Sequence, residues 1–366
     1  MRAHPRQQPY RHSTGRAVAT AAVAAVILVT TVAIAVTVIR NVTRQPAPAA
    51  GPAAPLASTA AAAAGTDAPD PCAGAQGVKV ATAAQLSKAL AAARPGQVIR
   101  MADGTYKGEF HIALSGSASQ PIVLCGSRRA VLRGRAVSDG YGLHLDGARF
   151  WILRGFSVTG AQKGVVLDRS SSNRLTGLLV AGTGQEAVHL RAFSSDNVLE
   201  RSEIRDTGLE TAKFGEGVYV GSAVSNWCEY TACKPDASDR NQILDNRIGP
   251  NTGAEAIDVK EGTTGGTIRG NVINGRGIRQ ADSWVDVKGN RWTISRNTGS
   301  TAPEDGFQVH VIRAGWGRDN VFDDNVANLG NGEYGFRIDS EATGTVVGCN
   351  NQVTGASKGR SNVGCR

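Results

Sequence analysis

Gly142-Leu-His-Leu145, Gly164-Val-Val-Leu167, Ala187-Val-His-Leu190, Gly217-Val-Tyr-Val220, Ala256-Ile-Asp-Val259, Trp284-Val-Asp-Val287, Gly306-Phe-Gln-Val309 and Gly335-Phe-Arg-Ile338 are versions of one phrase. A residue, usually small, is followed by apolar, variable, apolar. The starts lie 22, 23, 30, 39, 28, 22 and 29 positions apart. Several versions lead into an Asn-led second phrase, as at Asn173, Asn197, Asn241 and Asn320, and some into a third, as at Asn246 and Asn271. Alternation within each phrase predicts a strand with one apolar face, and the Gly and Asn between phrases suit turns with positive φ. A period near 22 with three short strands is one coil of a right-handed parallel β-helix, which buries its inner face only by stacking on its neighbours. Longer intervals mark inserted loops, the largest being 222–239. Thr82-Ala-Ala-Gln85 followed by Leu86, Leu90 and Ala91 predicts a short capped helix that plugs the N-terminal end, stopped at Pro95-Gly96.

Outside this all-β domain, set at 72–366, the chain changes character. Residues 17–39 carry no charge and are long enough to span a bilayer. Arg2, Arg6, Arg11 and Arg16 precede them and only Arg40 and Arg44 follow, which orients 1–16 as a cytoplasmic tail. A transmembrane signal-anchor is therefore expected, with the β-helix on the outer side of the cell membrane; cleavage after Gln45 would release it instead. Residues 40–71, rich in Ala and Pro, read as a linker. Removing the six arginines of the first 45 residues leaves 34 basic against 31 acidic side chains, so the formal charge of +9 belongs mostly to the membrane flank. With no basic stripe interleaved with aromatics, no nucleic-acid partner is expected, and the chain is expected to act as a monomer.

All six cysteines follow the linker, as disulfides in an exported domain would. Fifteen pairings are open. Local spacing favours Cys228–Cys233 and Cys349–Cys365, leaving Cys72 to pin the start of the domain to Cys125. Zinc is disfavoured, because no C-x-x-C or H-x-x-x-H spacing occurs.

Sorting each strand by alternation places Asp258 and Lys260 outward on one coil, Asp286 and Lys288 on the next, and Gln308 and His310 on the third. Tyr219 falls in the aspartate column one coil earlier. Repeated like charges directly opposite one another destabilise a sheet, so such a stack suggests use. Adjacent ammonium groups lower each other's proton affinity, which would let Lys260 act as base and Lys288, with His310 beyond it, as assisting acid. A carboxylate-bearing glycan would dock on this strip, touching Tyr219, Asp258, Trp284, Asp286, Gln308 and Trp316. Abstraction of the proton α to a uronate carboxyl, followed by loss of the 4-linked sugar, is β-elimination, the chemistry of a polysaccharide lyase. Glu186, Glu216 and Glu255 share one turn position. Glu216 and Glu255 with Asp258 would offer the oxygen ligands that Ca²⁺ takes; a solvated glutamate ladder is the plainer alternative. Trp227, Trp284 and Trp316 either line a sugar cleft or pack loops. His144 and His189 are expected at the surface, several coils from the cluster. Two other functions stay open: a non-catalytic glycan-binding or envelope-associated protein, and a glycoside hydrolase using Asp258 and Asp286.

The segment Glu255-Ala-Ile-Asp-Val-Lys260, followed one coil later by Val285-Asp-Val-Lys288, resembles the active strand pair of the family-6 polysaccharide lyases, which include chondroitinase B and alginate lyases. The resemblance implies that Glu255 binds Ca²⁺ and that Lys260 is the base. Lys288 stands where that family has an arginine acid, and Gly253 where it has a second acidic ligand, a place Glu216 would fill from the previous coil. The motif covers about forty residues, the fold resemblance residues 82–366. The chain also resembles exported β-helix proteins of unproven activity, and it lacks the Asp-rich motifs of polygalacturonases.

Overall fold

The computed structural model describes Cys72, Gly74 and residues 76–366; the expected cytoplasmic tail, membrane anchor and linker lie outside these residues. Among the described residues, parallel strands stack into three sheets of ten, eleven and ten strands. Each coil contributes one strand to each sheet, the arrangement of a parallel β-helix. The first sheet holds the repeated phrases, from Phe110–Ile112 to Gly359–Ser361. Its inward pairs are the ones alternation selects: Val188 and Leu190, Val218 and Val220, Ile257 and Val259, Val285 and Val287, Phe307 and Val309, all essentially inaccessible. Phe307 stacks on Phe336 with ring centroids 5.1 Å apart.

The small residue opening each phrase has a packing cause. A Cβ on Gly217 would lie 2.8 Å from the Ile248 side chain, and one on Gly164 would lie 2.5 Å from Val180. Both opponents belong to the third sheet. One coil trades the two volumes: Trp284 fills the small slot, and its ring lies over Gly299, where a Cβ would meet it at 2.2 Å. Trp284 is completely buried, donating from Nε1 to the Thr301 carbonyl at 3.1 Å. Its expected role on the sugar-facing surface is therefore corrected. It is core, because the missing side chain at Gly299 opens room for it.

The Asn-led phrases also work differently from the expectation. The left-handed residue is commonly the one before the asparagine, as at Ser172, Asp196, Arg240, Asp245, Arg296, Asp319 and Asp324. The asparagines themselves are buried and stack in ladders. Asn173 Nδ2 donates to Asn197 Oδ1, and Asn197 Nδ2 to Asn241 Oδ1, both at 3.1 Å. Asn246, Asn271, Asn297, Asn325 and Asn351 form a second ladder. Each amide also bonds backbone in the bends, satisfying polar groups that burial would otherwise leave unpaired.

The helix spans Ala83–Ala91, with Gln85 N–H donating to the Thr82 hydroxyl at 3.2 Å and Leu86 and Leu90 buried in the core. Three disulfides join Cys72 to Cys125, Cys228 to Cys233 and Cys349 to Cys365, the pairing that local spacing favoured. No described helix is long and apolar enough to cross a membrane.

Candidate active site

Register delivers the outward columns. Tyr219 pairs with Asp258, Asp258 with Asp286, Asp286 with Gln308, and Gln308 with Arg337. Two positions further along each strand, Lys260, Lys288 and His310 stand side by side on consecutive coils. Like residues are stacked, yet the contacts run diagonally and alternate in sign. Lys260 Nζ lies 2.6 Å from Asp258 Oδ2, and Lys288 Nζ lies 2.7 Å from Asp258 Oδ1 and 2.5 Å from Asp286 Oδ2. His310 Nδ1 is 2.9 Å from Asp286 Oδ1.

This zigzag overturns the expected electrostatics of the lysines. Burial disfavours both ammonium groups, but Asp258, flanking each of them, outweighs it and holds both above the ordinary lysine range. The mutual repulsion of the lysines is the lesser effect. Burial likewise disfavours the Asp286 carboxylate, and Lys288 and His310 nevertheless hold it below the usual range. Hydrogen bonding to Asp286 pushes His310 up. The lysine side chains differ in access, at 15% exposed for Lys260 and 8% for Lys288. Lys260 also lies 5.0 Å from the centre of the Tyr219 ring.

Beside the ladder, one ligand oxygen each from Glu216, Glu255 and Asp258 falls within 4.8 Å of the others. Burial, with Glu186, Asp258 and Glu255 nearby, pushes Glu216 well above the carboxylate range. Burial and Asp258 raise Glu255 to about 7. Glu216 Oε2 is buried without a hydrogen-bond partner. Three converging carboxylates, with one Glu216 oxygen left unpartnered, fit a hard divalent cation. Glu186 does not join them, because Lys163 and His189 take it.

Other expected contacts are redistributed. Gln308 is wholly buried and donates to Asp305 at 2.8 Å, so it supports the floor and does not present an amide to substrate. Asp258 and Asp286 are buried inside the ladder and hold the ammonium groups. Trp316 is partly exposed in the loop after His310. Trp227 is buried in the 222–239 insertion beneath Arg313, whose guanidinium lies 5.5 Å from the ring centre. His189 is corrected from surface to core periphery. It is 4% exposed, bonds the Gly221 carbonyl at 3.0 Å and meets Tyr219 edge-on, one coil from that residue.

Sequence reasoning missed the neighbouring cluster. Arg191 donates to both Asp168 oxygens at 2.7 and 3.2 Å and to Tyr141 at 3.0 Å, beneath the Tyr230 ring at 4.3 Å. His144 meets the same aspartate at 2.9 Å. The signal was available, since Asp168 and Arg191 each directly follow the closing Leu of a phrase and so share a column. The 222–239 insertion is fixed above this face by fully buried Asp236, which accepts from the Ala192 and Phe193 N–H groups and from Ser222 and Ser238.

No family model matches this sequence, and no curated protein matches it. Solved structures do. An alginate lyase from Paenibacillus sp. str. FPU-7 is 39% identical, with a TM-score of 0.73 over 78% of this chain and 97% of that one. The PL6 family alginate lyase AlyGC matches at 17% identity and a TM-score of 0.55, over 78% of this chain and 40% of that one. Pectate lyase Pel9A matches at 16% identity and 0.52, over 79% and 82%. The last two share the fold, while the first spans nearly its whole length at an identity that marks kinship. The chain belongs to the β-helix polysaccharide lyases, in the family of the Paenibacillus enzyme, and is an enzyme of the lyase class.

Proposed function

We propose that this lyase cleaves a uronate polymer of the alginate class by β-elimination, with Lys260 as base and Lys288 as assisting acid. One observation carries the reading: two ammonium groups on consecutive coils share Asp258 beside three converging carboxylates. Lys288, gripped by two carboxylates, enters the reaction charged and faces the substrate carboxyl. Lys260 is the more accessible group, and its single carboxylate contact lets a docking sugar draw it off Asp258. Standing next to Lys288, it then yields its proton to solvent more readily. The freed amine takes the α-proton, the electron pair forms the ring double bond, and the bond to the 4-linked sugar breaks. The departing oxygen takes its proton from Lys288 or from His310, whose hold on its proton Asp286 strengthens. Tyr219 offers its ring face to the sugar. Glu216, Glu255 and Asp258 would hold Ca²⁺, whose chemistry when bound is to neutralise the uronate carboxyl and acidify the α-proton.

The same proposal sets the enzyme outside the cell membrane as a monomer on the 17–39 anchor, with the 83–91 helix plugging the solenoid. Hydrolysis by Asp258 and Asp286 is disfavoured, since both carboxylates are buried inside the ladder and committed to the ammonium groups.

The test is incubation of purified protein with alginate, pectate, chondroitin and glucuronan, read by absorbance of unsaturated uronate. Alginate should give the signal, and Lys260→Ala should lose it. Glycan binding without product, unchanged by that substitution, would replace turnover with a binding role.

A further inference from the structure

The charged face continues past His310, and its continuation has room. Arg337 follows Gln308 in the central column, so it stands two coils beyond Asp286 and three beyond Asp258. A cavity of about 380 Å³ opens there, lined by His310, Arg337, Asp339, Ser340 and Asn362. That volume is at the small end of ligand sites and suits one sugar unit.

Arg337 is the least committed cation of this face. Its guanidinium stands 3.6 Å from Asp305 and 3.7 Å from Glu304, too far for hydrogen bonds, and the side chain is 46% exposed. Neither of those two acids lines the cavity. A planar guanidinium with unused donors is the group best matched to a carboxylate. Asp339 is fixed from behind: one of its oxygens accepts from the Glu341 N–H at 3.0 Å and the other from the Val311 N–H at 3.3 Å. Its remaining acceptor capacity suits sugar hydroxyls. Adjacent coils repeat at ~4.8 Å, close to the length of one glycosyl unit, so a glycan lying along the solenoid axis passes one sugar over each coil.

We propose that Arg337, with Asp339, forms a subsite beyond His310 that grips the carboxylate and hydroxyls of a uronate unit remote from the cleaved bond. This rests on the reading of the enzyme as a uronate-polymer lyase. Binding energy from such a distant unit shows only with substrates long enough to reach it.

The experiment compares wild type, Arg337→Ala, Arg337→Lys and Asp339→Asn on size-fractionated alginate oligomers, with melting temperatures in parallel. Arg337→Ala is expected to raise KM for the longest oligomers about tenfold with a smaller change in kcat, and to spare the shortest cleavable ones. Arg337→Lys should recover part of the loss. Equal loss at every length, or no loss on long oligomers while wild type turns them over, overturns the subsite and leaves the lyase reading standing. A wild type that cleaves no uronate polymer overturns both.

Discussion

Arg191 and Arg337 bracket the charged face, and they are opposites. Arg191 is 5% exposed and saturated by a bidentate aspartate, a tyrosine hydroxyl and an aromatic lid. Arg337 is half open, with only distant acids beside it. Between them, Lys260 and Lys288 are partnered but not sealed. Saturated charge holds a fold together, and unsaturated charge is available to a ligand. The gradient along one sheet runs from support at the N-terminal end to recognition at the C-terminal end, with chemistry between.

Four measurements break or sharpen that contrast. The largest effect is expected at the centre. Lys260→Ala should lower kcat on the cleaved polymer by about 10²–10⁴-fold, the range of general acid–base contributions, with little change in melting temperature. Retained activity above a tenth of wild type would remove Lys260 from the chemistry. At the N-terminal end, Arg191→Ala strands buried Asp168 and should cost about 3–5 kcal/mol in urea denaturation. Arg337→Ala should cost no more than about 1 kcal/mol by the same measurement, since its pairs are loose and wet. Equal costs would erase the distinction between the two arginines.

A third measurement concerns the carboxylate trio. Glu255 has a folded pKa of about 7, above its unfolded value near 4.5, so protons favour the native state. Without added cation, stability should decline as pH rises through that window. Ca²⁺ competes with those protons, so its stabilisation should be larger at about pH 8 than at about pH 5, and about 2.7 kcal/mol at a hundredfold excess over Kd. Glu216→Gln should abolish the gain; a calorimetric titration showing unaltered uptake would remove Glu216 from the ligand set. The smallest effect belongs to the insertion. Replacing Cys228 and Cys233 by serine opens only a short loop and should cost no more than about 2 kcal/mol, with a few-fold loss of activity from loosened Tyr230 and Trp227. A loss as large as that of Lys260→Ala would move the loop into the reacting site.

Periodicity made the coils, the inward pairs and the register of the lysines legible, because strand alternation and coil stacking are rules of local geometry. The Glu216, Glu255 and Asp258 trio followed from the same register. What escaped was set by partners off the column. Sorting outward residues shows Lys260 beside Lys288 but not the diagonal through Asp258 that reverses their proton affinity. His189 counted as outward, yet an inserted loop and the Gly221 carbonyl cover it. Tyr230 reaches Arg191 from that insertion, whose path carries no repeat to read. Trp284 misled because its slot is small elsewhere, and only Gly299, in another sheet, explains the exception.

That exchange has a bearing on ancestry. Solenoids are commonly imagined as growing by copying one turn after another, and an interchangeable turn could be copied, deleted or transplanted freely. The turn built on Trp284 and Gly299 cannot be grafted in halves: a fragment carrying the indole without its glycine collides with a side chain, and the reverse leaves a hole. Chimeras between this enzyme and its kin should therefore tolerate crossover points between turns and fail within this one.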